Sequence, residues 1–129
     1  MKTTVDYREL TAEQQAAARN KPEVRAGAWR VVRAQAFELE RKVKMLMPVD
    51  TGRARASWGH STPPASAADG IWIEDEAGLE VIEGSNVEYI GALNEGHSQQ
   101  REAGFIDAAA ASVGEALDRA LDELLRGLL

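Results

Sequence analysis

GIWIEDEAGLEVIEGSN, residues 70–86, alternates apolar and polar side chains with a period of two. In an extended chain Ile71 and Ile73 face one side, and Trp72 and Glu74 the other. Glu76-Ala77-Gly78 has turn chemistry and Leu79 to Glu83 supplies a second strand, so the stretch predicts a β-hairpin. A lone hairpin is marginal in water and must pack against something larger. Ser57 to Thr62 is a candidate third strand, joined to the hairpin by a loop of Pro63, Pro64 and the small residues 65–70. The partner that covers this small sheet decides the fold, and the flanking sequence supplies it twice.

On the C-terminal side, Ile106, Ala110, Val113, Leu117, Leu121, Leu124 and Leu128 recur at steps of three and four. That spacing predicts an amphipathic helix of about six turns. Leu125 and Leu129 widen its apolar face, either for the core or for a neighbouring subunit. On the N-terminal side, Trp29, Val32, Ala36, Leu39, Val43 and Leu46 form one stripe on a helix over roughly 23–46. Arg30, Arg33, Glu38, Arg41, Lys42 and Lys44 lie mostly off the stripe, and Pro48 stops the helix. Thr11 and Gln14 have capping-box spacing, so a short helix is expected from Thr11 to about Asn20, with Pro22 opening the next. Two long helices and a small antiparallel sheet make the expected fold α+β, a single domain over residues 1–129. Residues 1–24 read as an N-terminal extension with a short helix, and residues 25–125 as the core.

Composition narrows the chemistry. With 44% apolar and 28% charged residues, the chain reads as soluble and globular. A net charge of −6 argues against a DNA-coating role, which needs a basic face. The absence of cysteine removes disulfides, thiolate catalysis and cysteine-bound zinc. His60 and His97 are too few for a convincing zinc site, and no metal or cofactor is expected. No apolar run is long enough to span a membrane, and MKTTVDYREL lacks the apolar centre of a signal peptide.

Asp50-Thr51-Gly52 has the letters of an aspartic-protease site. Such a site needs two desolvated carboxylates that share a proton. Asp50 instead follows a long helix and a proline, and Arg53 and Arg55 would hold it ionised. The alternative is structural: Asp50 or Thr51 caps a short helix over 52–57, and Gly52 permits the turn. Arg53 and Arg55 then project either into solvent or onto an acidic surface of a neighbouring subunit.

Three segments in order carry a resemblance. They are Pro48-Val49-Asp50-Thr51-Gly52-Arg53-Ala54-Arg55-Ala56-Ser57, Val87-Glu88-Tyr89 through Leu93-Asn94-Glu95-Gly96-His97-Ser98, and Ala103-Gly104-Phe105-Ile106-Asp107-Ala108-Ala109. With their flanking helices they resemble the small head–tail joining proteins of long-tailed bacteriophages and prophages, called neck, tail-completion or minor tail proteins. The likeness covers roughly residues 25–125 and rests on order and spacing, since no one segment is specific. Ala54 stands where that family has leucine, and Glu95 where an aromatic is common. The resemblance implies a structural, non-enzymatic virion protein. It would form a six-fold or twelve-fold ring at the neck, between the head-side connector or stopper and the tail terminator or tail tube. Such a particle is assembled in the host cytoplasm, and DNA passes through it without specific binding.

Within that reading the subunit-interface candidates are Asp50, Arg53, Arg55, Asn94, His97, Leu125 and Leu129. Glu74, Asp75 and Glu76 on the hairpin, and Asp118, Asp122 and Glu123 on the last helix, are channel-lining candidates that would repel DNA. Tyr89 is expected as core filling, and Phe105 as a hydrophobic staple before the last helix, with Asp107 favourable at its N-terminus. Two other classes stay open: an aspartic-type hydrolase built on Asp50, and a cytoplasmic adaptor that binds a partner through its C-terminal helix.

Overall fold

The hairpin forms as its alternation predicts, with strand β2 over Gly70–Asp75 and strand β3 over Glu80–Ser85. The computed structural model describes residues 1–6, 12–47, 52–95 and 104–128. The capping role of Thr11, the helix stop at Pro48, and the candidates Asp50, Thr51, His97 and Leu129 lie outside the described residues.

A third strand completes the sheet, but not where the sequence suggested it. Strand β1 is Lys2–Asp6, and it pairs antiparallel with β3 to give the order β1-β3-β2. Ser57 to Thr62, the expected third strand, forms none: Ser57 ends a helical turn and 58–62 are irregular, with the Gly59 N–H donating to the Gly84 carbonyl at 2.9 Å. The start of the chain is therefore part of the sheet rather than of an extension outside the core. KTTVD has too short an alternation to be read as a strand by itself; β3 supplies the ladder that makes it one.

Helix α1 covers Ala12–Asn20 and helix α2 Pro22–Leu46, with Pro22 in the first turn, where its missing N–H costs nothing. A short helix α3 spans Arg53–Ser57, entered through Gly52 at φ +79°. After the hairpin come a short α4, Ile90–Asn94, and the long α5, Phe105–Leu128. The architecture is α+β, two main helices on a three-stranded antiparallel sheet.

The register sorts the sheet into two faces. Val5, Trp72, Val81, Glu83 and Ser85 share the inner face, and Thr4, Ile71, Ile73 and Ile82 the outer one. Helix α2 lies against the sheet and α5 packs along α2. Their buried stripes meet: Val24, Val32, Leu39 and Val43 from α2, and Ile106, Val113, Leu117, Leu121 and Leu125 from α5. Each such fully buried aliphatic side chain contributes about 1.5–3 kcal/mol. The helices approach closely at Gly27, where a Cβ would sit 2.8 Å from Leu124 Cδ1. Tyr89 is not core filling; it is 41% exposed and Ile90, fully buried, takes the inward position. Phe105 is buried as the first residue of α5.

Candidate functional site

The densest polar chemistry of the described residues lies between α2, the segment leaving α3, and the inner face of the sheet. Helix α3 delivers Ser57 and Trp58 beneath β3, both with no exposed surface. Ser57 Oγ donates to the Ala54 carbonyl (2.7 Å) and lies 2.7 Å from Ser85 Oγ, which also accepts from the Val87 N–H (3.1 Å). Trp58 Nε1 donates to Glu83 Oε1 at 3.0 Å. Glu83 is itself fully buried, and its Oε2 has no hydrogen-bond partner among the described residues.

Burial pushes the Glu83 carboxyl up to about 8, with the negative charge of nearby Glu40 adding to the rise. The Trp58 hydrogen bond and the Lys44 charge oppose it without cancelling it. Glu83 is accordingly a neutral acid at pH 7. Next to it, Glu40 Oε2 accepts from the His60 backbone N–H (2.6 Å) and lies 2.8 Å from His60 Nδ1. Lys44 Nζ donates to the His60 carbonyl at 2.7 Å. The turn that makes this possible is Gly59, at φ +63°, where a Cβ would overlap the Glu40 carboxylate.

Above this layer an aromatic group reaches the surface. His60 stacks on Phe37 (centroids 5.6 Å apart, planes 3° apart) and packs against Trp72 at 4.3 Å. Arg33 lies 4.9 Å over the Phe37 ring and binds Glu74 Oε1 through Nε at 2.6 Å. The Arg33 guanidinium and then the Trp72 N–H hold the Glu74 carboxyl below the usual carboxylate range. Neither the groove between β1 and α5 nor the shallow one along α2 is lined by Glu40 or Glu83. The arrangement ties the loop after α3 to α2 and to the sheet.

The candidates from the sequence fall in several places. Arg53 pairs with Asp69 at 3.2 Å, and that guanidinium, then the Ser66 N–H, keeps the Asp69 carboxyl low. Arg55 donates to the carbonyls of Met45 (3.3 Å) and Met47 (3.1 Å), satisfying the C-terminal end of α2. Asn94 is buried. Its Oδ1 accepts the Ile106 N–H at 2.9 Å and its Nδ2 donates to Asp107 at 2.9 Å, so it caps α5 from α4. Leu125 sits in the core at 4% exposure, where the chain's own helices cover it.

The acidic candidates are similarly divided. Glu74 is paired as described, Asp75 accepts the Gly78 N–H in the hairpin turn (3.0 Å), and Asp122 pairs with Arg126 (2.9 Å). Asp118 lines the groove between β1 and α5, and Glu76 and Glu123 are exposed. Sequence reading missed Glu83, Glu40 and Trp58. The alternation that put Val81 and Glu83 on one face was a signal for Glu83; nothing local marked its partners. No family model, characterised protein or solved structure matches the chain.

Proposed function

We propose that this chain is a structural protein of a tailed-phage virion. It forms a ring at the neck that joins the head-side connector to the tail, or completes the tail. One observation carries the reading beyond the resemblance of its sequence: two unlike exposed surfaces on different layers of the fold, one aliphatic and one of mixed apolar and basic side chains. On the outer face of the sheet, Ile73 is 51% exposed and sits opposite Ile82, with Ile71 diagonal to it. On α2, Met45 is 58% exposed with Arg41 donating to its Sδ at 2.9 Å, and Phe37, 38% exposed, lies under Arg33. Two dissimilar surfaces on one subunit suit a head-to-tail contact, which repeats until a ring closes. The segments that carry the resemblance support the same reading as scaffolding. Residues 52–58 anchor the sheet to α2, and Asn94 fastens the turn after β3 to α5.

Native mass spectrometry combined with negative-stain imaging of the concentrated protein tests this. Closed rings of a single stoichiometry are expected. Ile73→Asp and Met45→Asp, each on an exposed side chain, should each abolish rings, and a mixture of the two should give dimers, since one good surface remains on each. A monomer that stays unassembled beside its connector and tail partners, or a pair with one cytoplasmic protein through α5, would replace the reading with the adaptor one.

A further inference from the structure

The edge of β1 and the flank of α5 enclose a groove of about 410 Å³. That is in the range of sites that hold ligands or peptides. Its floor is apolar, made of Val5, Leu39, Val113 and Leu117, all at most 4% exposed. The wall on α5 is low, because Ala110, Ala111 and Gly114 stand there. The charged residues among the described lining are Asp6, Glu115 and Asp118, all acidic.

The backbone of β1 adds a second feature. The Met1 nitrogen donates to the Ser85 carbonyl, and the Ser85 N–H to the Met1 carbonyl, each at 2.9 Å. Met1 and Ser85 are therefore a hydrogen-bonded pair, and such pairs alternate along an antiparallel ladder. In the register Lys2↔Gly84 to Asp6↔Glu80, Thr3 and Val5 bond to β3, while Thr4 between them turns its N–H and C=O groups outward. Thr4 is one of the residues that line the groove.

We infer that this groove is a strand-addition site for an extended, basic, amphipathic segment of a partner protein. The segment pairs with the outward groups of Thr4 and continues the sheet beyond β1. Its residues beside the Thr4 partner share the inner face with Val5 and are apolar, filling the space over Leu39 and Val113. The residues between them are lysine or arginine. They meet Glu115 and Asp118 across the groove. This inference holds whichever assembly the chain joins.

The test uses two capped hexapeptides, one alternating valine with lysine and one valine with glutamate, titrated into the labelled full chain by amide NMR. The lysine peptide should shift Thr4, Val5, Gly114 and Asp118, with affinity falling as salt rises. The glutamate peptide should leave them in place. Gly114→Leu fills the groove; a Cβ at Gly114 meets nothing within 4 Å, so the fold is retained. That variant should lose about tenfold or more in affinity, ~1.4 kcal/mol, at an unchanged or higher melting temperature. Glu115→Lys with Asp118→Lys should reverse the peptide preference. No binding at millimolar peptide, equal binding of both peptides, or wild-type affinity in Gly114→Leu would each overturn the inference. Concentration-dependent shifts of the same residues without peptide would overturn it too, because a second copy would then be the occupant.

Discussion

Glu83→Gln should make the protein more stable at alkaline pH and nearly unchanged at acid pH. The folded carboxyl titrates at about 8, against an ordinary value of 4.5. Between these values the native state holds a proton that the unfolded chain has released. Stability therefore falls as pH rises. The contribution is complete below about pH 4.5, and it is lost progressively up to about pH 8. At ~1.4 kcal/mol per pH unit, the whole window amounts to ~5 kcal/mol as an order of magnitude. That is a large share of the 5–15 kcal/mol typical of a domain. Glutamine keeps an oxygen to accept from Trp58 Nε1, and its amide fills the place of the protonated oxygen without ever ionising. Urea unfolding followed by tryptophan fluorescence, repeated from pH 5 to 9, reads the effect. The wild-type midpoint should fall steeply with pH and that of the variant much less, the two converging near pH 5. Parallel midpoint curves would refute the reasoning, since they would mean that Glu83 is already ionised, or hydrated, in the folded state.

Asn94→Ala leaves the buried Ile106 N–H without its acceptor and should cost about 1–3 kcal/mol, read as a lower urea midpoint. Replacing Arg55 by Met keeps bulk but strips the carbonyls of Met45 and Met47 of their donor. A loss of about 1.5–3 kcal/mol is expected, so charge reversal there would test folding before it tested assembly. Leu121→Ala should cost ~2–5 kcal/mol from a site with 1% exposure. Gly27→Ala should destabilise in the wild type but much less in a Leu124→Ala background, a coupling that a double-mutant thermal cycle measures. If acidic surfaces line the channel, the isolated protein should show no DNA retention in low-salt gel shifts. Glu76→Lys with Glu123→Lys, both at exposed positions, should then slow genome ejection while particles still assemble.

Much of the architecture was legible locally because it rests on periodicity. Steps of three and four gave α2 and α5, and alternation gave β2, β3 and the pairing of Ile71 with Ile73 on one face. These patterns are properties of the chain itself, since the burial of one face is repeated at every turn or every second residue. β1 was not legible, because five residues of KTTVD carry too few repeats, and their strand state depends on a partner about eighty residues away. The same limit governed the site. Arg53, Arg55 and Asn94 were singled out as subunit-interface candidates, yet the partners they have within the chain, Asp69, the α2 carbonyls and Ile106, are set by tertiary contact. Glu83 shows the division most sharply. Its letters say a solvated carboxylate in an acidic hairpin, and its register says the inner face. Only the closing of α2 and Trp58 over that face removes water and keeps it a neutral acid. Sequence alone determined the strongly periodic elements α2, α5, β2 and β3, because periodicity is local. Tertiary structure decided which charges are buried, paired or left at the surface, because desolvation and hydrogen bonding depend on what lies across the gap.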